Sequence, residues 1–204
     1  MRRARRTLTS RPVQAIPTRL AGLVAFEPVR HGDERGFFCE TYRREWQAPE
    51  GIPPAEEFIQ DNHSRSARGG VRGMHFHIGA GVAKLVRCAR GRVLDVAVDL
   101  RRGSPTYARW EGVELDDESM RELYLPVGFA HGFVVLSDVA DVLYKQTAYY
   151  DPAVERGIAF DDPDIGIEWP LPREQMIVSD RDAKAPRLHD VADELPFEYR
   201  GPRP

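Results

Sequence analysis

The feature that most limits what this chain can fold into is a series of ten short runs rich in valine and aromatic residues. They are Leu20–Phe26, Phe37–Tyr42, Phe58–Asn62, Val71–His77, Ala83–Ala89, Arg92–Leu100, Tyr107–Leu115, Glu122–Leu125, Gly132–Leu136 and Val142–Tyr149. Gly, Pro, Asp and Ser punctuate them, and apolar and polar residues alternate within them, the pattern of half-buried strands. Ala89-Arg90-Gly91-Arg92 reads as a tight hairpin with Gly91 at positive φ. No run favours a long helix. Short helices are expected over Tyr42–Trp46 and, behind a Ser179 cap, over Asp180–Ala185. Many short, evenly spaced strands imply an all-β fold, either a barrel or a jelly roll of two antiparallel sheets with a few short helices. Such a fold alone says little about function.

The chain has 204 residues, enough for one such domain. Residues 1–17 are Arg-rich and broken by proline, and are expected to be a basic extension, with the domain over 18–204. The net charge is only -3, so nothing in the balance points to nucleic acid or a membrane as partner. No apolar run approaches the roughly 18 residues that span a bilayer, and no apolar stretch follows the basic Met1–Arg6 as a signal peptide requires. Cys39 and Cys88 are too few for a disulfide framework. A cytoplasmic location is expected.

Three segments place ionisable residues inside apolar strands. In Val71-Arg72-Gly73-Met74-His75-Phe76-His77, alternation puts His75 and His77 on one face, opposite Met74 and Phe76. Lys84 opens the run Ala83-Lys84-Leu85-Val86, and a Pro/Gly turn delivers His131 in Pro126–Phe133. Each residue singly has an ordinary structural reading, as does Tyr144 in Val142-Leu143-Tyr144-Lys145. Together they suggest one polar cavity. His75, His77 and His131 also resemble the ligand set of a metal-dependent cupin enzyme, yet Ile78–Ala83 lacks the carboxylate that usually completes it.

Many motifs in one order make the chain resemble the dTDP-4-dehydrorhamnose 3,5-epimerase family, from about Leu20 to Leu188. They include Asp33–Glu40, Gln60–Ser64, Val71–Phe76, Lys84–Arg87, Asp95–Asp99, Ser104–Thr106, Pro126–Phe133, Tyr144-Lys145, Asp162–Asp164 and Ser179–Asp182. The resemblance implies a single cupin-type jelly roll that forms a homodimer and works without metal or organic cofactor. The implied substrate is a dTDP-4-keto-6-deoxyhexose, inverted at C3 and C5 in L-rhamnose or related deoxysugar synthesis.

By the same resemblance His75 is the catalytic base and Asp182 the acid that orients it. Lys84 faces the C4 oxygen, and Tyr144 is the acid on the opposite face. Arg35, Glu40, Gln60, Asn62, Arg72, His131, Glu155 and Arg181 fall at positions that bind the nucleotide or sugar. Two departures stand out: His77 replaces the family's usual glutamine, and the loop Ile78–Val82 is short. Relatives exist that invert C3 or C5 alone. All the catalytic residue types are present here, which favours double epimerisation.

Overall fold

The computed structural model describes residues 13–43 and 58–201. Among them are thirteen strands: β1 (Val13–Pro17), β2 (Val24–Pro28), β3 (Arg30–Asp33), β4 (Gly36–Cys39), β5 (Gln60–Ala67), β6 (Val71–His77), β7 (Lys84–Arg90), β8 (Arg92–Asp99), β9 (Trp110–Asp116), β10 (Glu122–Leu125), β11 (Phe129–Val135), β12 (Val139–Gln146) and β13 (Glu155–Gly157). They form a six-stranded sheet, order β1-β2-β10-β7-β12-β5, and a five-stranded sheet, order β13-β6-β11-β8-β9; β3 and β4 pair only with each other. Neighbouring strands run antiparallel throughout.

The two large sheets pack face to face, as a jelly roll does. Alternate residues of both meet in one core: Ala25, Val86, Cys88, Leu123 and Val142 from the first, Val93, Ala97, Leu115, Phe129 and Phe133 from the second. The outer face of the five-stranded sheet is also apolar. Met74, Phe76, Val96, Val98 and Ala130 meet Ile158, Phe160, Leu188, Leu195 and Phe197 of the C-terminal segment there. Burying each large side chain contributes about 1.5–3 kcal/mol, so this packing holds a segment that has little regular structure of its own. Within it, α1 (Asp180–Ala183) is a single turn capped by Ser179, whose hydroxyl accepts from the Asp182 amide. A second turn, α2 (Leu188–Val191), follows.

Several expectations need correction. Val13–Pro17 is not part of an extension: Val13 and Ala15 pack on Val24 and Phe26 as β1 pairs with β2. Residues 1–12 lie outside the described part of the chain, as do Arg44, Glu45 and Trp46 of the expected helix at Tyr42–Trp46. Leu20–Leu23 is a turn closed by Leu23 N–H donating to the Leu20 carbonyl, which starts the strand at Val24. Helix α1 and the Gly91 hairpin (φ 79°) form where expected.

β6 and β11 approach so closely that a Cβ on Gly132 would sit 2.6 Å from Met74 Sδ. The register between these strands shifts at this point, so β6 carries an extra residue between Arg72, opposite Phe133, and His75, opposite His131.

Candidate active site

Toward the side closed by β5 and β6, the space between the sheets turns from apolar to polar. β5 supplies one reason: its half-buried positions are Gln60, Asn62, Ser64 and Ser66, none of them apolar. Gln60 Nε2 donates to Asn62 Oδ1 at 2.8 Å, while Asn62 Nδ2 is buried with no partner among the described residues. Across the cross-strand register, Tyr144 lies beside Asn62, and Gln146 beside both Gln60 and Lys84. Lys84 Nζ stands 5.8 Å from the centre of the Tyr144 ring. Burial pulls the Lys84 ammonium down to about 8, against the opposing charges of Glu155 and Asp95. Burial raises the Tyr144 phenol, helped by Glu155 and opposed by Arg72.

The facing sheet contributes the histidines. His75 and His131 are cross-strand partners, so both side chains leave the same face. His75 Nε2 lies 2.7 Å from Asp182 Oδ1, a contact between residues 107 positions apart. Asp182 Oδ2 accepts from the Gly73 amide at 3.4 Å. Burial alone would raise the Asp182 carboxyl, but His75, the Gly73 amide and Ser179 hold it below its ordinary value. The carboxylate therefore fixes the tautomer and orientation of the ring and leaves a lone pair on the other nitrogen. His131 has a carboxylate of its own: its Nε2 is 2.9 Å from Asp95 Oδ2, and both side chains are buried. Burial lowers the His131 pKa, Asp95 opposes, and the charges of Lys84 and His75 both reach it.

At the rim, Arg181 pairs with Glu155 at 2.5 Å, and the Tyr150 hydroxyl reaches Glu155 at 3.4 Å. The Tyr150 amide donates to Gln60 Oε1 at 2.8 Å, tying the two edges together. Arg72 Nε donates to Ser66 Oγ at 3.0 Å from β6 to β5. A cavity of about 260 Å³ opens between β6, β13 and the C-terminal segment, with His75, Glu155, Arg181 and Asp182 in its wall. Lys84, Tyr144 and His131 do not line it; they belong to the intersheet side of His75.

Ten of the twelve expected site residues thus come from the elements around this region. The other two do not. Arg35 is on the β3–β4 hairpin, largely exposed and paired with Asp33, and Glu40 follows that hairpin and binds Arg43. Two contributors escaped the sequence reading. Asp95 carried a signal, an acid set within the run Val93-Leu94-Asp95-Val96-Ala97-Val98; Tyr150, in an irregular segment, carried none. The metal-cupin alternative is corrected: among the described residues no group of three His, Cys, Asp or Glu side chains could hold an ion. His75 and His131 instead each commit a nitrogen to a separate carboxylate.

Known proteins resemble most of this chain. A family model described as dTDP-4-dehydrorhamnose 3,5-epimerase matches residues 17–190. The protein of that name from Pseudomonas aeruginosa is 48% identical over 177 residues, spanning 85% of this chain and 96% of the relative. A dTDP-4-dehydrorhamnose 3-epimerase from Streptomyces niveus is 44% identical, with 82% and 81% covered. Among solved structures, the dTDP-6-deoxy-D-glucose-3,5-epimerase of Legionella pneumophila, in complex with dTDP-4-keto-L-rhamnose, superimposes with a TM-score of 0.87. It is 43% identical and covers 93% of this chain and all of its own.

Proposed function

The chain belongs to the dTDP-4-dehydrorhamnose 3,5-epimerase family, and from that membership we propose how its pocket divides the work. The protein is an isomerase that epimerises a dTDP-4-keto-6-deoxyhexose next to its C4 ketone, in dTDP-L-rhamnose or related deoxysugar biosynthesis. A hydrogen beside a ketone is acidic because the electron pair it leaves behind moves onto the carbonyl oxygen. The reaction therefore needs a base, a positive partner for that oxygen, and an acid on the opposite face.

In our reading His75 takes the proton, and Asp182 at 2.7 Å stabilises the imidazolium that forms. The Lys84 ammonium meets the growing charge on the C4 oxygen, where low dielectric strengthens the attraction. Tyr144 returns a proton from the other face: a phenol is a weak acid, but an enolate is basic enough to take its proton. Gln60, Asn62, Arg72, His131, Glu155 and Arg181 would hold the sugar and its diphosphate. The arginine forks are suited to paired phosphate oxygens, and the partnerless Asn62 Nδ2 is a donor awaiting an acceptor.

The finer context is proposed on separate grounds. A homodimer is supported by the β3–β4 hairpin, whose Phe37 and Phe38 are 50% and 70% exposed and gain from being covered. It is also the setting in which Arg35 and Glu40 would join a binding surface. A cytoplasmic location fits two free cysteines. Among the described residues no helix is long and apolar enough to cross a membrane.

The observations that support the mechanism are the His75–Asp182 contact on one sheet and the Lys84–Tyr144 pair on the facing sheet. Incubating the ketosugar with enzyme in deuterated water tests it. Double epimerisation predicts deuterium at both C3 and C5. Label at one carbon reassigns the protein to the single-site class represented by the Streptomyces niveus relative, and label at neither refutes the reading.

A further inference from the structure

We propose that His77 binds the C3 hydroxyl of the ketosugar and so controls how much of the turnover inverts C3. The inference rests on the placement of Lys84 at the C4 oxygen.

His77 lies two residues beyond His75 on β6, on the same inward face, with Glu155 as its cross-strand partner on β13. It is only 5% exposed, yet no hydrogen bond or ion pair engages its ring among the described residues. Buried polar side chains almost always have a partner, and His75 and His131 on the same face each have a carboxylate. His77 is the member of the trio with no carboxylate or other partner for its ring among the described residues.

Its surroundings select the kind of partner. Burial lowers its pKa, and the neighbouring Lys84 charge lowers it further, outweighing nearby Glu155 and Asp151. The ring is accordingly neutral at pH 7, with one N–H donor and one acceptor nitrogen. That pair matches a hydroxyl, which both donates and accepts. It matches a phosphate poorly, since a phosphate only accepts and is better served by the arginines at the rim.

The substrate supplies such a group on one side of the ketone only. C3 bears a hydroxyl, whereas C5 bears the methyl group and the ring oxygen. With Lys84 on the C4 oxygen, a donor–acceptor group beside Lys84 therefore belongs to the C3 side. When the C3 hydrogen leaves as a proton to His75, its electron pair forms the C3–C4 double bond and the carbonyl pair moves onto the C4 oxygen. The C3 hydroxyl then swings into the plane of the enolate. A ring fixed by the strand can hold it through that movement, and nothing equivalent is required at C5.

The experiment follows deuterium uptake at C3 and C5 separately by NMR, with dTDP-4-keto-6-deoxyglucose and the wild-type, His77→Leu and His77→Gln proteins. The leucine variant is expected to lose C3 exchange about tenfold relative to C5, the size of one hydrogen bond. Glutamine, which also donates and accepts, should recover most of the loss. If His77→Leu does not fold, His77→Ala gives the same readout. An unchanged C3-to-C5 ratio overturns the inference, as does an equal fall at both carbons, which marks a structural role. Wild-type label at C5 alone also overturns it while leaving an epimerase standing. Wild-type label at neither carbon overturns the reading of the whole pocket.

Discussion

Replacing Lys84 with Met should make the protein more stable at pH 7 and leave it nearly inactive. The folded chain holds the Lys84 ammonium at about 8 instead of its ordinary 10.5, a difference equivalent to about 3 kcal/mol. Remaining solvent contact at this partly buried side chain screens some of that, so a gain of about 1–3 kcal/mol is expected when a neutral chain of similar length replaces it. The pH dependence has a definite sign. Between about 8 and 10.5 the unfolded chain binds the extra proton and the folded chain does not, so wild-type stability rises with pH across this window. Below about 8 both states hold the proton and this group contributes no slope. Urea unfolding at pH 7 and at about pH 9.5 measures both effects: the gap between the proteins should be widest at pH 7 and narrow at the higher pH. Activity should change oppositely, with kcat falling about 10²–10³-fold as the enolate loses its cation. Wild-type turnover should also fall above about pH 8, and Lys84→Arg, which keeps its charge, should move that limb upward. A methionine variant less stable than wild type at pH 7, with the wild-type pH slope retained, would refute the argument.

Tyr144→Phe removes the proposed acid while leaving the proposed base, so His75 should still exchange substrate hydrogen with solvent but return it to the same face; deuterated sugar of unchanged configuration is the expected product, and normal inversion excludes Tyr144 as the acid. Asp182→Asn keeps a similar shape but loses the carboxylate against His75. It should lower kcat by about 10²–10⁴-fold with dTDP affinity preserved, and full turnover would show that the base needs no carboxylate.

How much was legible depended on whether a segment's burial follows its apolar pattern. β6 and β10 have the expected limits, β6 because its apolar and polar residues sort by sheet face, β10 because its four residues form one short buried run that includes Glu122. β5 was placed early and cut short, since Gln60, Asn62, Ser64 and Ser66 turn inward toward a cavity, and polar residues inside mimic a loop. β13, Glu155-Arg156-Gly157, has no apolar side chain at all and exists through backbone pairing with β6. β1 was masked by its basic, proline-broken surroundings. In the site, strand alternation alone placed His75 beside His77. No local period links His75 to Asp182; that partnership was implied by family resemblance, and the docking of the C-terminal segment creates it.

That docking has a consequence for the order in which the enzyme comes to life. During synthesis every strand of both large sheets emerges before Asp182, so a nascent barrel can already enclose His75 while its carboxylate is still unmade. The newborn jelly roll would carry an unsteadied imidazole and remain idle. On the proposed mechanism the catalyst switches on when the tail wraps the outer face of the five-stranded sheet, so turnover itself would report that the last stretch of chain has reached its berth.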